Sequence, residues 1–239
     1  MNKLWKKFDQ LSTRCYEDMI QSNPTMDNWD EAFSVLVEIT EEGRQRDSSF
    51  AQEMYQLEES IEYKCDVSGW FEDYMDELEM CERYNRLQYV CEKVLQLFQW
   101  KEESPSDIKF HIAFAMAGQG KNEETLAFCE DWYKAEYDNI VAATSLIYAQ
   151  TAVKDYQGAE AVVKKFITKD TVCSEENDII YTAASHLYKV NGNKKEEKRI
   201  NKAIKTYEKE LEEYFLSLDE EDLDFDLNLD IPDEELPFK

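Results

Sequence analysis

The sequence predicts an all-α protein, and three observations support this. Apolar residues recur with helical periodicity through most of the chain. The 239 residues include only six Gly and four Pro, too few for the frequent tight turns of sandwiches, barrels or doubly wound sheets. The connections are short, so consecutive helices should form antiparallel hairpins. We expect helices near residues 3–21, 28–42, 48–64, 69–81, 84–99, 106–118, 122–135, 139–152, 156–168, 176–190 and 194–216.

Residues at several helix ends support these boundaries. Ser104 offers a capping hydroxyl and Asp107 an acid near the positive end of the helix dipole, with a proline between them. Gly43, Gly120 and Gly192 each follow a helical stretch. A residue in the left-handed conformation commonly ends a helix, so we expect helices to stop at these glycines.

Similar segments recur along the chain. The segment around Thr125 matches the one around Ala159, 34 residues later, and further copies surround Glu82, Gly192 and Asn28. A helix–turn–helix unit of this period resembles the tetratricopeptide repeat. The physical reason for stacking such units is that one hairpin cannot bury its own apolar face.

The resemblance implies a right-handed solenoid of antiparallel helix hairpins. It would form one domain over residues 1–216, with the clearest repeats in residues 69–210. The alternative is an irregular antiparallel helical bundle.

Residues 217–239 differ from the rest of the chain. Residues 219–239 hold ten acids and one base, a net charge of −9, which predicts a disordered acidic tail. From residue 222 to 231 acids and apolar residues nearly alternate, as in disordered interaction segments. The end of the tail resembles the acidic tip of bacterial single-stranded DNA-binding proteins. Its apolar part is Leu236, Pro237 and Phe238.

Charge and cysteine usage restrict the class of protein. The chain carries 27 bases and 53 acids, a net charge of −26, so we expect no direct binding to nucleic acid. None of the six cysteines forms a C-x-x-C pair. No secretory signal follows the first lysines, and no apolar run approaches the roughly 18 residues that span a bilayer. We therefore expect a cytoplasmic protein with buried free thiols and no membrane partner.

The sequence gives little support for catalysis. Its only histidines, His111 and His186, lie 75 residues apart, and no carboxylate stands in a clearly apolar setting. We expect no catalytic, metal or cofactor site. An enzyme whose site is not visible in the sequence stays an open alternative.

The favoured hypothesis is a non-enzymatic interaction module or adaptor. In tetratricopeptide proteins the first helices of successive units line a concave groove, and the resemblance implies a protein or peptide partner there. A second hypothesis, from the tail, is an acidic decoy or regulator in nucleic-acid metabolism. The groove candidates are Phe110, His111, Phe114, Thr144, Tyr148, Thr151, Thr182, His186 and Lys189.

A row of lysines marks the last predicted helix. At about 100° per residue its members fall within an arc of about 80°. The row is either an ordinary solvated face or a docking strip for an acidic segment, and the acidic tail follows directly. We expect intramolecular docking of the tail as one use of the row. The basic strip consists of Lys194, Lys198, Lys202, Lys205 and Lys209.

Overall fold

The computed structural model describes residues 3–20 and 25–217. Within these residues the chain is helical and has no β-strand, which confirms the all-α prediction. The helices are α1 (Lys3–Met19), α2 (Asp27–Arg46), α3 (Tyr55–Glu59), α4 (Val67–Met80), α5 (Tyr84–Leu97), α6 (Ser106–Gly118), α7 (Asn122–Ala135), α8 (Ile140–Ala152), α9 (Tyr156–Phe166), α10 (Asp178–Val190) and α11 (Lys194–Ser217).

The chain divides into two compact units, Met1–Phe166 and Ile167–Lys239, and the predicted domain of residues 1–216 spans both. In the first unit α1 packs on α2, and α5 packs on α6. The helix α8 packs on α7 and α9, and also on α6, which opens the preceding hairpin. Contact between the opening helices of successive hairpins is compatible with a helical repeat.

Four hairpins share one turn geometry. Three residues join α4 to α5, α6 to α7, α8 to α9, and α10 to α11. The middle residue has positive φ in every case: 53° at Glu82, 76° at Gly120, 66° at Lys154 and 77° at Gly192. Its amide donates to the carbonyl three residues earlier, at 2.8 to 3.4 Å. Four of the five repeated segments that the sequence predicts therefore coincide with a repeated turn, and the segment around Asn28 does not.

One predicted helix end and one predicted helix cap are wrong. Gly43 lies inside α2, which continues to Arg46, because its backbone does not adopt positive φ. Helix α6 begins at Ser106 as expected, but no side chain caps its first turn. The Ser104 hydroxyl instead pairs with the Ser106 hydroxyl at 2.7 Å.

The predicted helix over residues 48–64 is also wrong, since only α3 is helical there. The Arg44 guanidinium donates to the carbonyls of Phe50, Ala51 and Leu97, the last at 2.5 Å. Ala51 itself has a φ of 41°. A left-handed residue and carbonyls turned towards an arginine are incompatible with a continuous helix.

Aromatic side chains fill the core between α2 and α4. Trp29 stacks on Trp70 and Tyr74, with ring centroids 5.8 and 5.7 Å apart. The Tyr74 hydroxyl donates to Asp30 Oδ1, which also accepts from Arg86 Nε at 2.7 Å. This polar cluster joins α2, α4 and α5 at the edge of the aromatic core.

The second unit contains a hairpin of unequal helices. Helix α10 has 13 residues and α11 has 24, and the Ser185 hydroxyl on α10 donates to Asn201 Oδ1 on α11 at 2.6 Å. Only Ile200 of α11 is buried. Leu211, Tyr214, Phe215 and Leu216 are exposed on its last two turns.

Candidate interaction surfaces

Helices α4 and α6 bring carboxylates together around one histidine. His111 Nε2 on α6 lies 3.8 Å from Asp76 Oδ1 and 3.9 Å from Glu79 Oε2, both on α4. The other ring nitrogen, Nδ1, lies 2.9 Å from the carbonyl oxygen of Asp107. With Glu72 these side chains form the acidic face of the first unit: Glu72, Asp76, Glu79, Asp107 and His111.

Local capping holds the start of α4 in place beside this face. Glu58 Oε1 accepts hydrogen bonds from the amides of Val67 and Ser68, at 3.0 and 2.7 Å. Asp66 accepts from the Gly69 amide at 2.8 Å. These acceptors satisfy amides that the first turn of a helix leaves unpaired, so they fix the helix that carries the acids.

An apolar pocket of about 190 Å³ lies beside the acids, between the N-terminal halves of α4 and α6. Its walls combine buried apolar side chains with carboxylates at the rim. We call it the α4–α6 pocket. It is lined by Met54, Ser68, Phe71, Glu72, Met75, Trp100, Glu103, Ser104, Asp107 and Ile108.

Among the described residues, no Lys or Arg forms an ion pair with the carboxylates at this site, and His111 is the basic side chain beside Asp76 and Glu79. Burial raises the pKa of Glu72, and the negative charge of Asp107 raises it further. Burial also raises the pKa of Glu79, although His111 acts in the opposite direction. The pKa of Glu103 is raised by burial and by the negative charges of nearby glutamates. A cation placed among these groups would relieve both the repulsion and the incomplete solvation.

The arrangement is suited to holding a basic, partly apolar segment. The pocket offers an apolar contact for one side chain, and the acids offer ion pairs to a flanking Lys or Arg. Glu72, Asp76 and Glu79 stand at positions i, i+4 and i+7 of α4, so they follow one side of the helix. A ligand running along α4 would meet one carboxylate per turn.

The groove residues predicted on α6 lie next to this site. Phe110, His111 and Phe114 are half-buried. The Phe110 ring meets the His111 ring edge-on at 6.3 Å, whereas Phe114 packs against Tyr84 of α5 at 5.9 Å. Phe114 is therefore partly committed to the contact between α5 and α6.

The groove residues predicted on α8 are less accessible. Thr144 and Thr151 are only 1% and 4% exposed. The Thr151 hydroxyl donates to the carbonyl of Ile147 at 2.6 Å. Tyr148 is half-buried, and burial raises the pKa of its hydroxyl. Tyr148 is therefore the most exposed of the three groove candidates on α8.

The remaining groove candidates belong to the second unit. Thr182, His186 and Lys189 are exposed on α10. The Thr182 hydroxyl donates to the carbonyl of Asp178 at 3.1 Å.

The predicted basic strip lies on one side of α11, and all five lysines are exposed. Lys194 pairs with Glu197 and Lys209 with Glu213, at 2.9 and 2.8 Å. Lys198, Lys202 and Lys205, in the middle of the strip, have no ion pair with a described residue. A depression of about 590 Å³ follows the strip.

The other predictions from the C-terminal part concern residues that the structure does not describe. These are the acidic tail from residue 218 onwards and its motif of Leu236, Pro237 and Phe238.

The acids on α4 were not identified as a candidate site from the sequence. Paired acids such as Asp76 and Glu77 look there like any solvated helix face. The available signal was the spacing of Glu72, Asp76 and Glu79 opposite the buried stripe of Trp70 and its neighbours. The contact of these acids with His111, which lies 32 residues beyond Glu79, depends on how α4 packs against α6.

Three further observations concern the chemistry of the described residues. No group of three or more His, Cys, Asp or Glu side chains there has the geometry to hold a metal ion. None of the helices described has both the length and the apolar composition to cross a bilayer. The six cysteines are free thiols, with Cys81 exposed, Cys65 half-buried and the other four buried.

No family model, curated protein or solved structure matches the chain, so its function is inferred from these surfaces alone.

Proposed function

We propose that this protein is a non-enzymatic, tetratricopeptide-like interaction module or adaptor of the cytoplasm. Its acidic face and α4–α6 pocket bind a basic peptide or partner helix that carries an apolar anchor residue. The observation that carries the proposal is the position of an apolar pocket directly beside a row of carboxylates that form no ion pair with a described Lys or Arg.

The chemistry of the face favours a cationic partner over an anionic one. Glu72 and Glu79 already have raised pKa values, so an acidic ligand would add repulsion to groups that are incompletely solvated. A Lys or Arg would instead gain ion pairs with several carboxylates at once. The pocket volume of about 190 Å³ suits one side chain rather than a whole small-molecule ligand, since ligand pockets usually exceed about 300 Å³.

Helix geometry sets the extent of the bound segment. The carboxylates of Glu72 and Glu79 belong to residues seven positions apart, about 10 Å along the axis of α4. A partner that meets both therefore needs basic residues separated by about two helical turns, or by about three residues of extended chain. The half-buried ring of Phe110 would flank this segment on the α6 side.

A selection from a phage-displayed library of random 12-residue peptides tests the proposal on the full-length protein. We expect recovered peptides to be enriched in Lys or Arg beside a large apolar residue. The variant E72K/D76K/E79K reverses the charge of the acidic face, and it should lose these peptides.

The matched control is E38K/E130K/D131K, which makes the same charge change at exposed acids on α2 and α7. It should recover the same peptides as the unmodified protein. Recovery of the same peptides by all three proteins would show that this face does not bind them, and loss of the peptides in both variants would show that net charge attracts them. Peptides without basic enrichment would contradict the proposal as well.

A further inference from the structure

The last described helix presents a basic surface that nothing in the described part of the chain covers. Lys198, Lys202 and Lys205 are exposed and have no ion pair with a described residue. The depression along them has a volume of about 590 Å³ and is lined by residues of α11 alone. The lining residues are Lys198, Asn201, Lys202, Lys205, Thr206, Lys209, Glu210 and Glu213.

The chain itself supplies a complementary segment. Residues 219–239 carry a net charge of −9, so the remaining residues carry −17 of the total of −26. An acidic tail is repelled by most of an acidic protein, and the lysines of α11 are an exception. The tail also follows directly after the last residue of this helix, Ser217. Tethering keeps it at an effective concentration on the order of millimolar near the strip.

The spacing of the acids in the tail is close to the spacing of the lysines on α11. Every even position from residue 222 to 230 is polar: Asp222, Asp224, Asp226, Asn228 and Asp230. Alternate residues of an extended chain lie about 6.6 Å apart on the same side. Lysines three or four positions apart on a helix are separated by about 4.5 to 6 Å along its axis. The two repeats differ by about 1 to 2 Å per step, so an acid of the row can lie between two neighbouring lysines, although the rows do not pair one to one.

We propose that residues 222–230 dock in an extended conformation along the basic strip of α11. Residues 218–221 provide the four positions that a reverse turn requires. After such a turn an extended residue advances about 3.3 Å and a helical residue about 1.5 Å, so Asp226 lies near Lys205 and Lys209. Asp230 lies near Lys198 and Lys202, and the tail covers the depression. Leu223 and Phe225, at odd positions, face away from the lysines and remain accessible to a partner.

Backbone NMR relaxation of the full-length protein tests the docking. At about 10 mM salt, where charges act over roughly 30 Å, order parameters of residues 222–230 should exceed those of residues 233–239 by about 0.2. At about 1 M salt, where the screening length is roughly 3 Å, the difference should vanish. It should also vanish in K198E/K202E/K205E, whose substituted side chains are exposed and have no described partner.

Two matched variants complete the experiment. K101E/K134E/K169E makes the same charge change at exposed lysines outside the strip, and it should leave the order of the tail unchanged. Adding D224K/D226K/D230K to K198E/K202E/K205E swaps the charges and should restore the order.

Acylation of surface amines reports on the other side of the contact. In the full chain D224N/D226N/D230N should react about twofold faster at Lys198, Lys202 and Lys205, and equally fast at Lys134 and Lys169. Equal order parameters in the two tail segments at low salt would overturn the proposal. An acylation rate of the strip lysines that is the same in the tail variant and in the unmodified protein would overturn it as well.

Discussion

His111 Nε2 lies 3.8 Å from Asp76 Oδ1, so a residue of α6 stands against the acids of α4. This contact brings the carboxylates of one helix to the pocket that the other helix helps to form. The acidic face therefore depends on the packing of two hairpins.

Three carboxyl groups of α4 make the fold sensitive to pH. Burial raises the pKa of Glu72, Glu77 and Glu79 above the ordinary value of 4.5. A carboxyl group with a raised pKa in the folded state binds protons more tightly there than in the unfolded chain. These groups therefore stabilise the fold at low pH, and that contribution is lost as the pH rises from 4.5 through the folded pKa values.

Urea unfolding at pH 5 and pH 7 measures this effect. We expect E72Q/E79Q to be stabilised relative to the unmodified protein at pH 7 and to differ less from it at pH 5. Glu130→Gln, at an exposed site on α7, is the control and should show no such difference. Equal effects of E72Q/E79Q at both pH values would contradict the assignment.

The shared turn provides a second prediction. Glu82 and Lys154 occupy the left-handed position that Gly120 and Gly192 occupy in the other two turns. A β-carbon at Gly120 or Gly192 would meet no atom within 4 Å, so substitution there acts on the backbone alone. We expect Gly120→Ala to lower the free energy of unfolding by about 1 kcal/mol and Glu82→Gly to leave it unchanged or raise it. Thermal and urea unfolding measure both, and a stabilising Gly120→Ala would contradict the common geometry.

The cluster of Asp30, Tyr74 and Arg86 provides a third prediction. Arg86→Met removes the partner of a carboxylate that also accepts from a buried tyrosine. We expect a loss of about 1–2 kcal/mol in the free energy of unfolding, since both charged side chains keep partial contact with water. Lys93→Met is the matched control because Lys93 on α5 pairs with Glu41 on α2, and Glu41 is more exposed than Asp30. A loss at Lys93 as large as that at Arg86 would show that the cluster has no special role.

Thiol reactivity provides a fourth prediction. Cys81 is exposed, whereas burial raises the pKa of Cys15 and Cys129 to about 12. Because the thiolate is the reactive form, a disulfide reagent should modify Cys81 first in the native protein. Cys81→Ser should remove this fast phase, and the buried thiols should react only on unfolding. Rapid modification of the buried cysteines in the native state would contradict the packing.

The sequence predicted the fold class and most helices because apolar periodicity and scarce breakers are local signals. It failed over residues 48–64, where Arg44 draws the carbonyls of Phe50 and Ala51 out of a helical arrangement. That interaction also reaches Leu97, more than 50 residues away, and no local pattern encodes it.

The candidate site was predictable only in part. Phe110 and His111 followed from the repeat register, but their acidic neighbours did not. Glu72, Asp76 and Glu79 have the composition of many solvated helix faces, and only the packing of α4 beside α6 sets them next to an apolar pocket. The buried position of Thr144 likewise comes from tertiary packing, which the register alone does not specify.

The most direct test of the central claim is an amide and indole NMR titration of the full-length protein with the peptide most frequent in the display selection. Binding at the proposed site should shift residues lining the α4–α6 pocket, including the Trp100 indole, and leave the Trp5 indole unchanged. The affinity should fall about tenfold or more in E72K/D76K/E79K, as expected for the loss of several exposed ion pairs. Shifts confined to other surfaces, or equal affinity in that variant, would contradict the assignment of this face as the peptide site.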